Sequence, residues 1–181
     1  MAQHVLVYTK EPSLLNILLD EVNYPTESLV QLEGGDSGGV VHRQARTIAV
    51  KDRTFSGKRD KKHNVSMELK GLYLHNDLFY MQIELSNKSN ISFTLDQFRI
   101  FVQDKRTAKR TASQQVEINP IHVEGDLGYI PANATQTAVY VLQKFNIPDK
   151  KLLHLQVMEK DGGRHLHLKL RNKDLLKGRR P

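Results

Sequence analysis

No cysteine occurs anywhere in the 181 residues, which excludes disulfides, thiolate catalysis and cysteine-ligated zinc. Tryptophan is also absent and aromatic residues make up only 7% of the chain. The stacking rings with which many proteins grip single-stranded nucleic acid are therefore sparse. No apolar run approaches the roughly 20 residues that a membrane-spanning helix needs. The opening MAQHVLVYTK has a short apolar stretch, without the basic start and long apolar middle of a signal peptide. No P-loop, Rossmann fingerprint or HExxH motif is present.

What the chain does contain is enough apolar material for one core. Hydrophobic residues make up 39% and mean hydropathy is −0.50, a composition that folds. The charge is unevenly spread. Residues 1–36 carry Lys10 against Glu11, Asp20, Glu21, Glu27, Glu33 and Asp36, a net of −5, which leaves +12 for the rest of a chain whose total is +7. Such asymmetry marks an acidic segment beside a basic domain.

Period-two alternation begins at Val65, with Val65, Met67 and Leu69 apolar and Ser66, Glu68 and Lys70 polar, the pattern of a half-buried strand. His75-Asn76-Asp77 supplies a turn, and Phe79, Met81, Ile83 and Leu85 share one face of the next strand. Over Ile91–Asp104 the apolar phase flips from Ile91, Phe93 and Leu95 to Phe98, Ile100 and Val102, which requires a bulge near Asp96-Gln97. Val116 and Ile118 start a strand that Pro120 ends or places at an edge. Gly125–Thr135 reads as loop and Thr137–Phe145 as a strand buried on both faces. Leu153, Leu155 and Val157 lead into Asp161-Gly162-Gly163, and Leu166, Leu168 and Leu170 return, the pattern of a hairpin with a tight type I′ turn.

These elements predict an all-β fold, an Ig-like antiparallel β-sandwich of about seven strands over residues 65–176. Residues 1–30, with strand-like His4–Thr9 and the apolar stretch Ser13–Val22, are expected to close a preceding N-terminal domain. Residues 31–64 are expected to be a flexible linker with a short helix around His42–Val50, and residues 177–181 a tail.

Candidate chemistry is thin. His154, His165 and His167 are expected on the outward face of the last hairpin, where three histidines can bind zinc or copper; solvent-facing strand residues are the plainer reading. GGDSGG at residues 34–39 resembles the surroundings of a protease serine, but such a serine needs a rigid turn and partners, and a linker explains it. Sequons at Asn64, Asn87, Asn90 and Asn133 receive no role. No catalytic residue, metal or cofactor is assigned, and the chain is not expected to be an enzyme.

The run Gln103–Pro120, QDKRTAKRTASQQVEINP, packs Lys105, Arg106, Lys109 and Arg110 into six residues. Burying unpaired charge is prohibitive, so the run belongs on a loop or sheet edge. Three readings stay open there: a charged edge that prevents sheets from pairing, a dock for an acidic partner, or, with the cations of 58–62 and the tail Lys173–Arg180, a nucleic-acid grip.

Two stretches, LKGLYLHNDLFYMQIELSNKSNISFTLDQFRIFVQDKRTAKRTASQQVEINPI and VYVLQKFNIPDKKLLHLQVMEKDGGRHLHLKLRNKDLL, resemble the C-terminal domain of TraN proteins of Bacteroides-type conjugative transposons. The resemblance covers about residues 66–176 in order. It is most specific over Asn87–Ser89, Phe98–Val102, Asp104–Gln114, Phe145–Lys150 and Glu159–Leu166. VLVYTKEPSLLNILL resembles the exit from that family's N-terminal domain, so the chain is expected to be part of a longer protein with its export signal elsewhere. The resemblance implies a component of the conjugative transfer apparatus, periplasmic and associated with the outer membrane. It is distantly similar to the VirB-type ring component of type IV secretion, whose β-sandwich binds a small lipoprotein. The implied partners are other conjugation-channel proteins, in the full assembly as an oligomeric ring; the match makes the cationic run a recognisable family segment, and its charge alone marks Lys105, Arg106, Lys109 and Arg110 as the candidate contact residues. A nucleic-acid-binding accessory role for the same run is the alternative.

Overall fold

Two residue pairs with positive φ organise the first half of the sheet structure. His63 and Asn64 (φ 48° and 61°) and Asn76 and Asp77 (φ 47° and 57°) each form the two-residue connection of a tight hairpin, a conformation that Asn and Asp tolerate best among residues with a side chain. A computed structural model describes residues 37–105 and 115–181. A helix, α1 (Ser37–Ala49), precedes β1 (Arg59–Lys62), β2 (Val65–His75), β3 (Leu78–Asn87) and β4 (Phe93–Asp104). Three short strands follow: β5 (Gln115–Glu117), β6 (His122–Glu124) and β7 (Tyr129–Ile130). The chain ends with β8 (Ala134–Gln143), β9 (Lys151–Glu159), β10 (Leu166–Leu170) and the single turn α2 (Asn172–Leu175).

The strands form two antiparallel sheets of five. The first runs β1-β2-β3-β8-β6; the second runs β10-β9-β4-β5, with β7 paired to β4. This is the all-β sandwich expected, with ten strands instead of about seven, because β1, β6 and β7 are too short to show alternation. Between the sheets lie Met67, Leu69, Phe79, Met81, Ile83 and Leu85 from the first and Phe93, Ile100, Leu153, Leu155, Val157, Leu166 and Leu168 from the second. The phase flip in β4 is a register shift between Leu95 and Gln97 against β9, where the alternation required a bulge.

The last hairpin pairs as the leucine rows dictate, Leu166 opposite Val157 and Leu168 opposite Leu155. Its connection, however, is six residues long, and of its turn residues only Asp161 has positive φ. A type I′ turn needs two such residues. Arg164 is the reason: its guanidinium grips Glu159, donates to the Ser92 carbonyl at 2.6 Å and to Ser89 Oγ at 3.1 Å, and stacks over Phe93.

The segment 31–64 differs most from expectation. Its described part is folded against the sandwich, because Ala45 and Ile48 are fully buried with Tyr73, Leu78, Tyr80, Val139 and Val141 on the outer face of the first sheet. Burying Ile48 alone contributes about 2–3 kcal/mol. Gln82 reaches out of β3 to donate to the carbonyls of Ala49 (3.3 Å) and Lys51 (2.9 Å), which satisfies orphan acceptors at the helix end. This cover buries the outer face of β2 and β3 at Tyr73, Leu78 and Tyr80; at Val65–Lys70, where a half-buried strand was expected, Ser66 and Glu68 are buried too, held by Arg59 and Arg53. Residues 177–181 are likewise anchored. Arg179 N–H donates to Leu72 O at 3.0 Å, and Leu74 N–H donates to Arg179 O at 2.8 Å. The expected elements His4–Thr9 and Ser13–Val22 lie outside the described residues.

Candidate functional site

The cationic run connects β4 to β5. Lys105 N–H donates to Lys150 O at 2.8 Å, and its ammonium donates to the Asp149 carbonyl, so Lys105 is held beside the turn that precedes β9. Arg106, Lys109 and Arg110 lie outside the described residues. What the structure adds is their setting: β5, onto which the run leads, is the end strand of the second sheet.

The two lateral sides of the sandwich are finished differently. On one side, β10 and β1 are the edge strands. Asp60 Oδ2 accepts from His167 N–H at 2.8 Å, Lys58 Nζ donates to Lys169 O at 2.8 Å, and Lys58 also pairs with buried Asp174 at 2.9 Å. Side chains thereby occupy outward backbone groups of β10 that an added strand would need. Burial pulls the Asp174 carboxyl up, but the Arg171 N–H and Lys58 outweigh it and hold the carboxyl below its ordinary value.

On the other side the chain crosses from β5, the edge of the second sheet, to β6, the edge of the first. Ile118 N–H donates to Ile100 O. With Val116 opposite Val102 two residues away, the antiparallel pattern turns the backbone groups of Gln115 and Glu117 away from β4. Val116, Ile121, Val123 and Tyr129 on this part of the chain are all exposed. Arg99 braces β5 across the outer face, donating to Glu117 Oε1 at 2.6 Å and to Gln115 Oε1 at 3.2 Å.

The three histidines of the last hairpin do not converge. His154 stands on the outward face as expected but is buried there, because Phe101 stacks on it at 4.9 Å and His167 closes from β10, with 2.7 Å between His154 Nδ1 and His167 Nε2. Burial, then the neighbouring His167 and Lys169, push His154 down to about 4. His167 is lowered by burial and Lys169, with Asp60 opposing. His165 is turned to the hairpin loop, where its Nδ1 accepts from Glu159 N–H at 3.3 Å.

A different trio is assembled where α1 crosses β6. His122 and Glu124 lie opposite Val141 and Val139, the residues under α1, so both stand on the covered face. His42 Nδ1 is 3.0 Å from Glu124 Oε2, and Arg46, one turn along the helix, donates from Nε to Glu124 Oε1 at 3.3 Å. Desolvation acts to raise the Glu124 carboxyl, but the Arg46 hydrogen bond and the charges of His42 and Arg46 hold it below its ordinary value. Nothing in the sequence linked position 42 to 122 and 124, since the helix was expected inside a linker and β6 is three residues long.

Among the described residues no helix is long and apolar enough to cross a membrane. A family described as a domain of unknown function, DUF4138, matches residues 39–180, a span that takes in α1 as well as the sandwich. No curated protein matches the chain.

Proposed function

The chain belongs to the DUF4138 domain family, and from that premise we propose that it is a non-enzymatic assembly module which binds a partner by accepting an extended segment along β5. The observation that carries this reading is the contrast between the two sides of the sandwich. The β10 edge is occupied by Asp60 and Lys58, whereas β5 directs backbone groups outward beside exposed Val116 and Ile121. Strand addition uses such an edge, with main-chain hydrogen bonds for affinity and side-chain contacts for specificity. The resemblance of residues 66–176 to TraN C-terminal domains supports a finer reading. The partner is then another protein of a conjugative transfer channel, such as a small outer-membrane lipoprotein, and the place of action is the periplasmic side of the outer membrane. The cations at Lys105, Arg106, Lys109 and Arg110 would steer an acidic partner toward the neighbouring edge.

The test is co-purification of the tagged protein with channel subunits from a donor-cell envelope, with and without nuclease. The reading expects a channel subunit to be retained after nuclease treatment and lost in Val116→Lys and Glu117→Pro, two edge variants whose folding is checked by circular dichroism. DNA binding with a steep salt dependence, abolished by neutralising the four cations, would instead establish the nucleic-acid role.

A further inference from the structure

The trio at the crossing of α1 and β6 has the dimensions of a metal site. His42 Nδ1, His122 Nε2 and Glu124 Oε2 form a triangle with sides of 3.0, 3.4 and 3.6 Å. Around an ion with bonds of about 2.0–2.1 Å, tetrahedrally placed donors stand about 3.3–3.4 Å apart. The triangle therefore approximates one face of such a tetrahedron. The 3.0 Å side is an ordinary hydrogen-bond length, while the 3.4 and 3.6 Å sides lie at or beyond the long end of such bonds. We propose that His42, His122 and Glu124 form a three-ligand site for a divalent transition-metal ion of the zinc class, with water completing the fourth position.

The surroundings bear this out in detail. The ligand atoms come from two elements that meet over a packed base, since Ala45 and Ile48 of α1 are fully buried on the sheet beneath. The site lies at the rim of that contact, where His122 and Glu124 are partly covered and His42 is accessible, so an ion can enter. Two imidazoles and one carboxylate select zinc, cobalt, nickel or copper over magnesium and calcium.

Arg46 is the cation that faces the trio. It contacts the atoms the ion would leave free: Nε meets Glu124 Oε1, and Nη2 lies 3.1 Å from His42 Nε2. Its guanidinium thus supplies the positive charge now placed against Glu124, and it opposes a second one. An incoming ion displaces it, and its largely exposed side chain has solvent to move into. Metal binding then exchanges a surface ion pair for a coordinate link between α1 and the edge strand β6.

The full-length, tag-free protein titrated calorimetrically with zinc chloride tests the site, with magnesium chloride as control. Cobalt(II) in place of zinc provides a visible spectrum of the coordination. One ion per chain with micromolar affinity, no response to magnesium and the visible bands of a four-coordinate cobalt complex are expected. His42→Ala, His122→Ala and Glu124→Gln should each weaken zinc binding at least about tenfold. Arg46→Ala should strengthen it several-fold, a gain that misfolding cannot mimic, and His167→Ala should leave it unchanged. A wild-type protein that does not retain zinc overturns the proposal. So does zinc binding that survives His122→Ala and Glu124→Gln, or that disappears in His167→Ala.

Discussion

Acidification should weaken the fold through His154 well before the carboxylates protonate. The ring lies under Phe101, against His167 and near Lys169, and it titrates at about 4 instead of 6.5. In the unfolded chain it takes up its proton near 6.5, so between the two values the unfolded state binds more protons. The stabilisation is complete above pH 6.5 and is lost as pH falls toward 4. At about 1.4 kcal/mol per pH unit, the loss is about 3 kcal/mol, large against the 5–15 kcal/mol typical of a whole domain. Urea denaturation at steps from pH 7.5 to 4 measures it, with His154→Phe as reference because Phe keeps the stack and cannot protonate. Wild type should lose stability over that window relative to the variant. Parallel curves would refute the reasoning, as would an NMR titration that places the His154 ring near 6.5.

Three further outcomes follow from contacts described above. Asp60→Ala removes the acceptor of the His167 N–H and should lower unfolding free energy by about 1–3 kcal/mol in urea titrations. Arg164→Ala leaves the half-buried Glu159 without its partner and should cost about 1–3 kcal/mol in the same assay; Arg164→Lys should recover little, since one ammonium cannot hold Glu159, Ser89 and Ser92 together. Ile48→Ala should destabilise by about 2–4 kcal/mol. Amide hydrogen exchange should show α1 losing protection before the sheets do.

Long strands with clear alternation were legible in the sequence. Phe79–Leu85 and the leucine rows of the last hairpin pair as expected, and the change of phase at Leu95 to Phe98 marked the bulge. Short elements were not. A three-residue strand such as His122–Glu124 has no period to detect, and it is defined by its partner Val139–Val141. Nor does local pattern reveal what covers a face: Tyr80 and Gln82 look like the wet side of a strand until Ile48 and the end of α1 pack over them. The burial of His154 is likewise tertiary, made by Phe101 from fifty-three positions earlier in the chain. For the candidate site, the sequence marked the cationic run and the edge-forming Pro120. The contrast between a sealed and an open side came only with the strand order.

That contrast limits the kind of polymer the domain can build. A sandwich with strand-accepting edges on both flanks can pass hydrogen bonding from copy to copy without end, as in a fibre. Here Asp60 and Lys58 occupy backbone groups of β10, so strand addition at β5, as proposed, would not be passed on through that edge. If copies of the domain closed into a ring, as the proposed assembly role would allow, the contacts between them would have to avoid the occupied β10 edge, leaving the β5 side for a partner.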